Sequence, residues 1–290
     1  MKLYSILETY DVVTKERTAI FKLQKHLEAP NWTKDGKYII YNSDGLLYRY
    51  DLGTGEHSQI DTGDITACNN DHVLSPNGKE IAISSMAPGT DLNVQGYNSY
   101  IYILPISGGA PRKITPLSPS FLHGWSPDGK TLAYCAMRDG DKGDIYTIPA
   151  DGGDETRLTI TDGLSDGPEY SQDGAHIWYN SVKSGLMQIW RMDCDGRNQQ
   201  RITQDERNNW FAHVSPDNKK VVYISYKKGD VEPGDHPANK NVELHLMNYD
   251  GSDNQVIVSL FGGQGTLNVN SWSPDSRKIA FVSYELINFK

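Results

Sequence analysis

Short runs of apolar residues recur along the chain, each led by a Ser or Thr and a polar turn. They read NWTKDGKYIIYNS from Asn31, VLSPNGKEIAISS from Val73, GWSPDGKTLAYCA from Gly124, EYSQDGAHIWYNS from Glu169, HVSPDNKKVVYIS from His213 and SWSPDSRKIAFVS from Ser271. The turn residues Asp35, Asn77, Asp128, Asp173, Asp217 and Asp275 stand 42, 51, 45, 44 and 58 residues apart. Spacing of this order marks a radial or solenoid repeat, in which no unit buries its apolar face alone. Each phrase parses as strand, tight turn, strand, because an Asp-Gly or Asn-Gly pair supplies the positive φ of a short hairpin. The runs after the turn, such as Ile81-Ala82-Ile83 and Val221-Val222-Tyr223, are continuously apolar and suit strands buried on both faces. A third strand follows in each unit, at Leu47 to Leu52, Tyr100 to Ile106, Asp144 to Ala150, Gln188 to Cys194 and Glu243 to Tyr249. A fourth, polar strand ends in Ile-Thr or Leu-Thr, as at Ile114-Thr115 and Ile202-Thr203.

Four antiparallel strands repeated six times predict an all-β, six-bladed β-propeller rather than an open solenoid. The segment from Leu7 to Glu16 matches the third-strand segment from Tyr48 to Glu56, while the last repeat stops after a second strand near Tyr284. N- and C-terminal strands therefore share one blade and close the ring, which removes the sheet edges that an open stack keeps. The expected blades are approximately 25–62, 66–116, 119–160, 164–204, 208–258, and 266–287 completed by 1–23. No linker-like stretch divides them, so one propeller domain over 1–290 is expected.

The formal charge of −9 and the absence of any long basic run argue against a nucleic-acid or anionic-membrane surface. Cys68, Cys135 and Cys194 are odd in number and widely spaced, so they predict neither a disulfide framework nor a metal knuckle. No sustained apolar stretch suggests a leader or a membrane span, and a cytoplasmic protein is the expectation.

The WSPDGK and IAFVS signatures resemble those of TolB-like propellers over nearly the whole chain. DGPEYSQDGAHIWYNS from Asp166 and RNNWFAHVSPDNKKVVYIS from Arg207 resemble a bacterial TolB-like subgroup. The chain departs from the repeat at Thr33-Lys34, Gln172 and Asn218, all within turns. The resemblance implies the propeller fold and several jobs: protein-binding module, non-catalytic domain of prolyl oligopeptidases, or scaffold of oligogalacturonate lyases.

In a propeller the first strand of each blade lines the central channel. Its entry loop shares a rim with the loop between second and third strands. Two of those loops are long, Met86 to Asn98 and Lys227 to Asn241, and long irregular loops are often functional. Entry segments bring His72, His123, Asp166, Glu169, Asn208, Trp210, His213, Asn268 and Asn270 toward that rim, and the second long loop adds Asp235 and His236. Four of the eight histidines thus fall on one expected face. Neutral imidazoles with carboxylates can hold a divalent metal ion or exchange protons. His123, His213 and His236 are the candidate metal ligands, with Glu169 or Asp166 as the catalytic base. Asn208, Trp210, Asn268, Asn270 and His72 are the candidate ligand-binding residues. Polar groups at a water-filled mouth also need no function, Trp210 can pack between blades, and Asp166-Gly167-Pro168 can be a structural strand entry. The GGQGTLNVNS segment from Gly262 reads as a flexible blade entry.

No GxSxG elbow, GxGxxG or phosphate loop occurs. The leading expectation is therefore a binding module whose channel mouth takes a protein segment or a small polar or sugar ligand. The alternative is a metal-dependent, oligogalacturonate-lyase-like enzyme acting on acidic carbohydrates.

Overall fold

The computed structural model describes residues 1–88 and 98–288, and every regular element among them is a β-strand. No helix among them is long and apolar enough to cross a membrane. Six antiparallel blades stand in a ring. Glu28–Trp32, Tyr38–Ser43, Leu46–Asp51 and His57–Gln59 form the first, and Cys68–Leu74, Glu80–Met86, Ser99–Pro105 and Arg112–Lys113 the second. The third, fourth and fifth begin at the inner strands Ser120–Trp125, Ser165–Tyr170 and Arg207–Val214. In the sixth, the N-terminal Lys2–Asp11 pairs with the C-terminal Lys278–Ile287 through ten residue pairs. Arg17–Leu23 flanks them outside, and the Trp272 to Ile279 bridge holds the inner segment. The ring is closed by both ends of the chain, as the repeat predicts.

Each second strand is the fully buried layer, because apolar side chains leave water on both of its faces. Ile81, Ala82 and Ile83, Leu132 and Ala133, Val221 and Val222, and Ile279 and Ala280 are all buried. Such residues stabilise by about 1.5–3 kcal/mol per Ile or Val side chain. They pack between neighbouring blades; one core cluster joins Met187, Trp210, Ile224, Leu267 and Phe281 across blades four, five and six.

The recurrent turn owes its sequence to hydrogen bonds repeated six times. The Ser or Thr hydroxyl donates to the turn Asp or Asn, from Thr33 to Asp35 at 2.6 Å through Ser126 to Asp128 at 2.7 Å to Ser273 to Asp275 at 2.6 Å. The fourth turn residue takes positive φ. Glycine meets this need in four blades, whereas Asn218 (φ 56°) and Ser276 (φ 61°) carry side chains. Those side chains bridge blades: Asn218 Oδ1 accepts from Gln172 N at 2.9 Å, and Ser276 Oγ from Asp217 N at 3.0 Å. The Thr of each Ile-Thr or Leu-Thr ending is a latch. Thr115, Thr159 and Thr203 each accept from a third-strand amide (Ile101, Ile145, Ile189) at 2.9 Å.

Candidate functional site

Register breaks, not regular strands, build the channel mouth. Five inner strands shift register just before the turn phrase, between Glu28 and Asn31, Cys68 and His72, Leu122 and Gly124, Asp166 and Glu169, and Trp210 and His213. A bulge of this kind re-aims side chains. In blade four it occurs at Gly167 (φ 62°), where a Cβ would meet Asn180 Oδ1 at 2.5 Å and the Phe211 ring at 2.9 Å. Glycine is required there so that Phe211, itself at φ 52°, can lie close over the channel. Asn180 Oδ1 accepts from the Phe211 amide at 3.1 Å and fixes that approach.

The result is a cavity of about 800 Å³ at the entry rim. Asp71, His123, Asp166 and His236 converge in it, from blades two, three and four and from the loop after Lys220–Lys227. His123 Nε2 stands 3.2 Å from Asp166 Oδ1 and 3.8 Å from Asp71 Oδ1. His236 Nε2 lies 3.9 Å from Asp166 Oδ2. Asn69 Nδ2 donates to Asp71 Oδ2 at 2.6 Å, and the Gly167 amide to Asp166 Oδ1 at 2.7 Å. The His123 ring stacks on Phe211 with centroids 5.4 Å apart, while His236 meets Trp210 edge-on at 4.3 Å. Met86, Phe121, Met137, Leu164 and Pro237 complete an apolar wall.

Burial and charge set four different protonation tendencies. Burial alone would lower the His123 pKa, but Asp71 and Asp166 beside it raise it to about 9. Burial pushes Asp71 up to about 6 despite His123, with Asp166 and Glu28 adding like charge. Asp166 is also desolvated, yet His123 holds it below the usual carboxylate range. His236 is lowered, chiefly by burial. Near neutral pH the cavity holds an imidazolium between two carboxylates, with a neutral imidazole at its edge.

A second cavity, about 340 Å³, lies at the other end of the channel. Lys34, Pro76, Pro127, Gln172, Pro216 and Pro274, the second turn position of all six blades, ring its mouth. His72, Glu169 and Asn270 belong to this end instead of the entry rim, a correction to the sequence reading. The inner strand runs the length of the channel, so residues two or three before the turn Ser lie deep toward the turns. Glu169 is fully engaged: its Oε2 pairs with His213 Nδ1 at 2.6 Å, and Oε1 accepts from Val214 N at 2.8 Å and Asn270 Nδ2 at 2.7 Å. His213 Nε2 lies 3.2 Å from the Leu267 carbonyl, and Trp272 Nε1 donates to the His213 carbonyl at 3.0 Å. Burial drives the His72 pKa down to about 4, so its ring is neutral.

Of the three candidate metal ligands, His123 and His236 share the entry cavity, while His213 is bound into the Glu169 cluster. Among the described residues, no group of three or more His, Cys, Asp or Glu side chains is arranged to hold a metal ion. Asn268 lines the entry cavity, and its Oδ1 accepts from Gly265 N at 2.7 Å. Asn208 is buried, accepting from Met187 N at 3.1 Å and donating to the Val231 carbonyl at 3.3 Å. Trp210 is fully buried and reaches the cavity only as the wall behind His236. The loop from Lys227 to Asn241 does fold over the entry rim, with Gly234 to Pro237 lining the cavity. Most of the other long loop, 89–97, lies outside the described residues. The segment from Gly262 is packed, not flexible: the Gly265 carbonyl accepts from Ala29 N at 2.7 Å, and Gly263 N donates to Thr266 Oγ1 at 3.0 Å.

Sequence reasoning passed over Glu28 and the apolar wall. Glu28 stands four residues before Trp32, as Asp166 stands four before Tyr170, and this shared register could have found it. Burial raises its pKa, and Asn70 Nδ2 donates to it at 3.3 Å. Ser99, Cys135 and Met137 carry no signal beyond strand pattern; only the three-dimensional ring brings them to the mouth.

A closed ring of WSPDGK-type blades around a polar channel defines a six-bladed β-propeller. More narrowly, the chain belongs to the TolB β-propeller domain family, whose sequence model matches residues 92–242. A protein of Agrobacterium fabrum strain C58, described as uncharacterized protein Atu1656, is 45% identical over 281 residues, which cover 97% of this chain and 92% of that protein. A solved Agrobacterium tumefaciens structure, provisionally named TolB, superposes with a TM-score of 0.91 at 44% identity, covering 99% of this chain and 100% of that one. The Tol-Pal system protein TolB of Francisella tularensis subsp. tularensis is 24% identical over 277 residues, and the match spans 93% of this chain but 59% of that protein.

Proposed function

We propose that the chain is a binding module whose entry rim captures a protein segment, seating one polar group of that segment in the cavity over Asp166. The observation that carries this reading is the convergence of Asp71, His123, Asp166 and His236 within one open, apolar-walled cavity. Buried ionisable groups gathered in a cleft mark functional sites more often than structural ones. The rim beside the cavity also offers an apolar footing. Ile160 (88% exposed) and Leu117 (52% exposed) sit on the loops that lead into the inner strands of blades four and three. Large apolar side chains left in water next to a cavity are the features of a docking surface.

Peptides selected from a displayed library against the folded protein test this. Their affinity should fall at least tenfold with Asp166→Asn and with Ile160→Asp, and stay unchanged with Asp128→Asn on the opposite rim. Equal sensitivity to all three variants, or to none, would overturn the reading.

A further inference from the structure

The charge balance of the entry cavity says which polar group it takes. Asp71, Asp166 and Asp235 line it, and no lysine or arginine does so among the described residues. Among the described residues the one cation is His123, already held between Asp71 and Asp166. His236 gives no second positive charge, since burial lowers its pKa. Asp166 Oδ2 faces His236 at 3.9 Å and Asp71 Oδ1 faces His123 at 3.8 Å, both beyond hydrogen-bond reach. Both aspartates line the cavity, and neither of these oxygens is hydrogen-bonded to a histidine there.

One further polar atom supports a ligand there. Ser99 Oγ belongs to a buried residue lining the cavity and has no hydrogen-bond partner among the described residues. Buried polar atoms left unpaired cost stability unless something else meets them. An entering anion would meet the carboxylates, and a neutral group would leave the excess negative charge unbalanced. An ammonium group brings three donors and one positive charge. The wall of Phe121, Met137, Leu164 and Phe211 would cover the methylenes that carry it.

We infer that the cavity takes a primary ammonium group carried on an apolar chain, an inference resting on the entry-rim reading above. The amine belongs either to a lysine or chain terminus of a protein segment or to a free alkylamine. The overall charge of −9 favours the approach of either.

Calorimetry with hexylamine, 1-hexanol and hexanoate tests the class, with the His123 and His236 ring signals followed by NMR. Hexylamine should bind at least tenfold more tightly than the other two and move both ring signals. It should weaken at least tenfold with Asp166→Asn and severalfold with Asp235→Asn, whose exposed position leaves folding intact. Binding should also strengthen from pH 5 to 7.5 as Asp71 ionises. A terminally blocked Leu-Lys-Leu peptide and its Nζ-acetylated form separate the sources. Tighter binding of the free-lysine peptide than of hexylamine assigns the amine to a protein segment, and the reverse order assigns it to a small molecule. If 1-hexanol or hexanoate binds as well as hexylamine and moves the rings, the amine class is overturned while the entry rim stands as a binding site. If no compound moves either ring and the selected peptides ignore Asp166→Asn, both readings fall.

Discussion

His123 carries its charge because two carboxylates flank it against the pull of burial, and this has a thermodynamic signature. Its folded pKa of about 9 exceeds the ordinary 6.5. Its stabilising contribution is therefore complete below about pH 6.5 and is lost as pH rises through about 9. Asp71, raised to about 6 from an ordinary 3.8, acts in the same direction over the more acidic window between those values. The midpoint of urea unfolding should accordingly fall between pH 7 and 9.5, with a contribution on the order of 1–3 kcal/mol from His123. In His123→Gln that alkaline slope should flatten, and stability at pH 7 should drop by roughly 3 kcal/mol because two buried carboxylates lose their cation. An undiminished slope in the variant would show that another group titrates. The residue scale is also where the sequence was least legible. His123 and Asp166 were visible as polar entries to their strands, but their depth was not. A bulge of one or two residues decides whether a side chain reaches the mouth, as with Asp166, or the floor, as with Glu169. Bulges leave no fixed mark in composition; only the Asp-Gly-Pro of blade four hinted at one.

Among elements, the two-strand hairpin with its hydroxyl-carboxylate turn is the unit that the sequence describes best. Ser126 donates to Asp128 at 2.7 Å and accepts from Thr131 N at 2.9 Å. Ser126→Ala should cost about 1–2 kcal/mol through these two bonds. Gly129 (φ 77°) has nothing within 4 Å of a would-be Cβ, so Gly129→Ala should cost about 1 kcal/mol from backbone conformation alone. Chemical denaturation of the two variants checks both values, and a neutral Gly129→Ala would refute the conformational account. Continuous apolar runs and turn chemistry together made the second and third strands readable to within a few residues. The inner strands were harder, since Asn, His, Asp and Pro replace the apolar pattern wherever they face channel water. Blade four shows it: Ser165-Asp166-Gly167-Pro168-Glu169 is wholly buried without a single large apolar residue.

For the whole molecule, closure matters most. Lys2–Asp11 joins Lys278–Ile287 residue for residue, with Leu7 fully buried opposite Val282. Leu7→Ala should destabilise by about 2–4 kcal/mol. Amide exchange should then speed up in both terminal strands together, because neither can open alone. Faster exchange confined to one of them would contradict a shared blade. Closure was legible because the first and last segments of the chain each lack what the other supplies. The function was not legible to the same degree, since one ring scaffolds several activities and the deciding contacts join four separate stretches of chain. The most direct test of the entry-rim claim is the amide-exchange footprint of a selected peptide on the intact protein. Protection should fall on the loop from Lys227 to Asn241 and on the approaches to Phe121 and Leu164. Protection at the six turns around Lys34 and Pro127, with the entry rim unchanged, would place the binding surface at the wrong end of the channel and contradict the account.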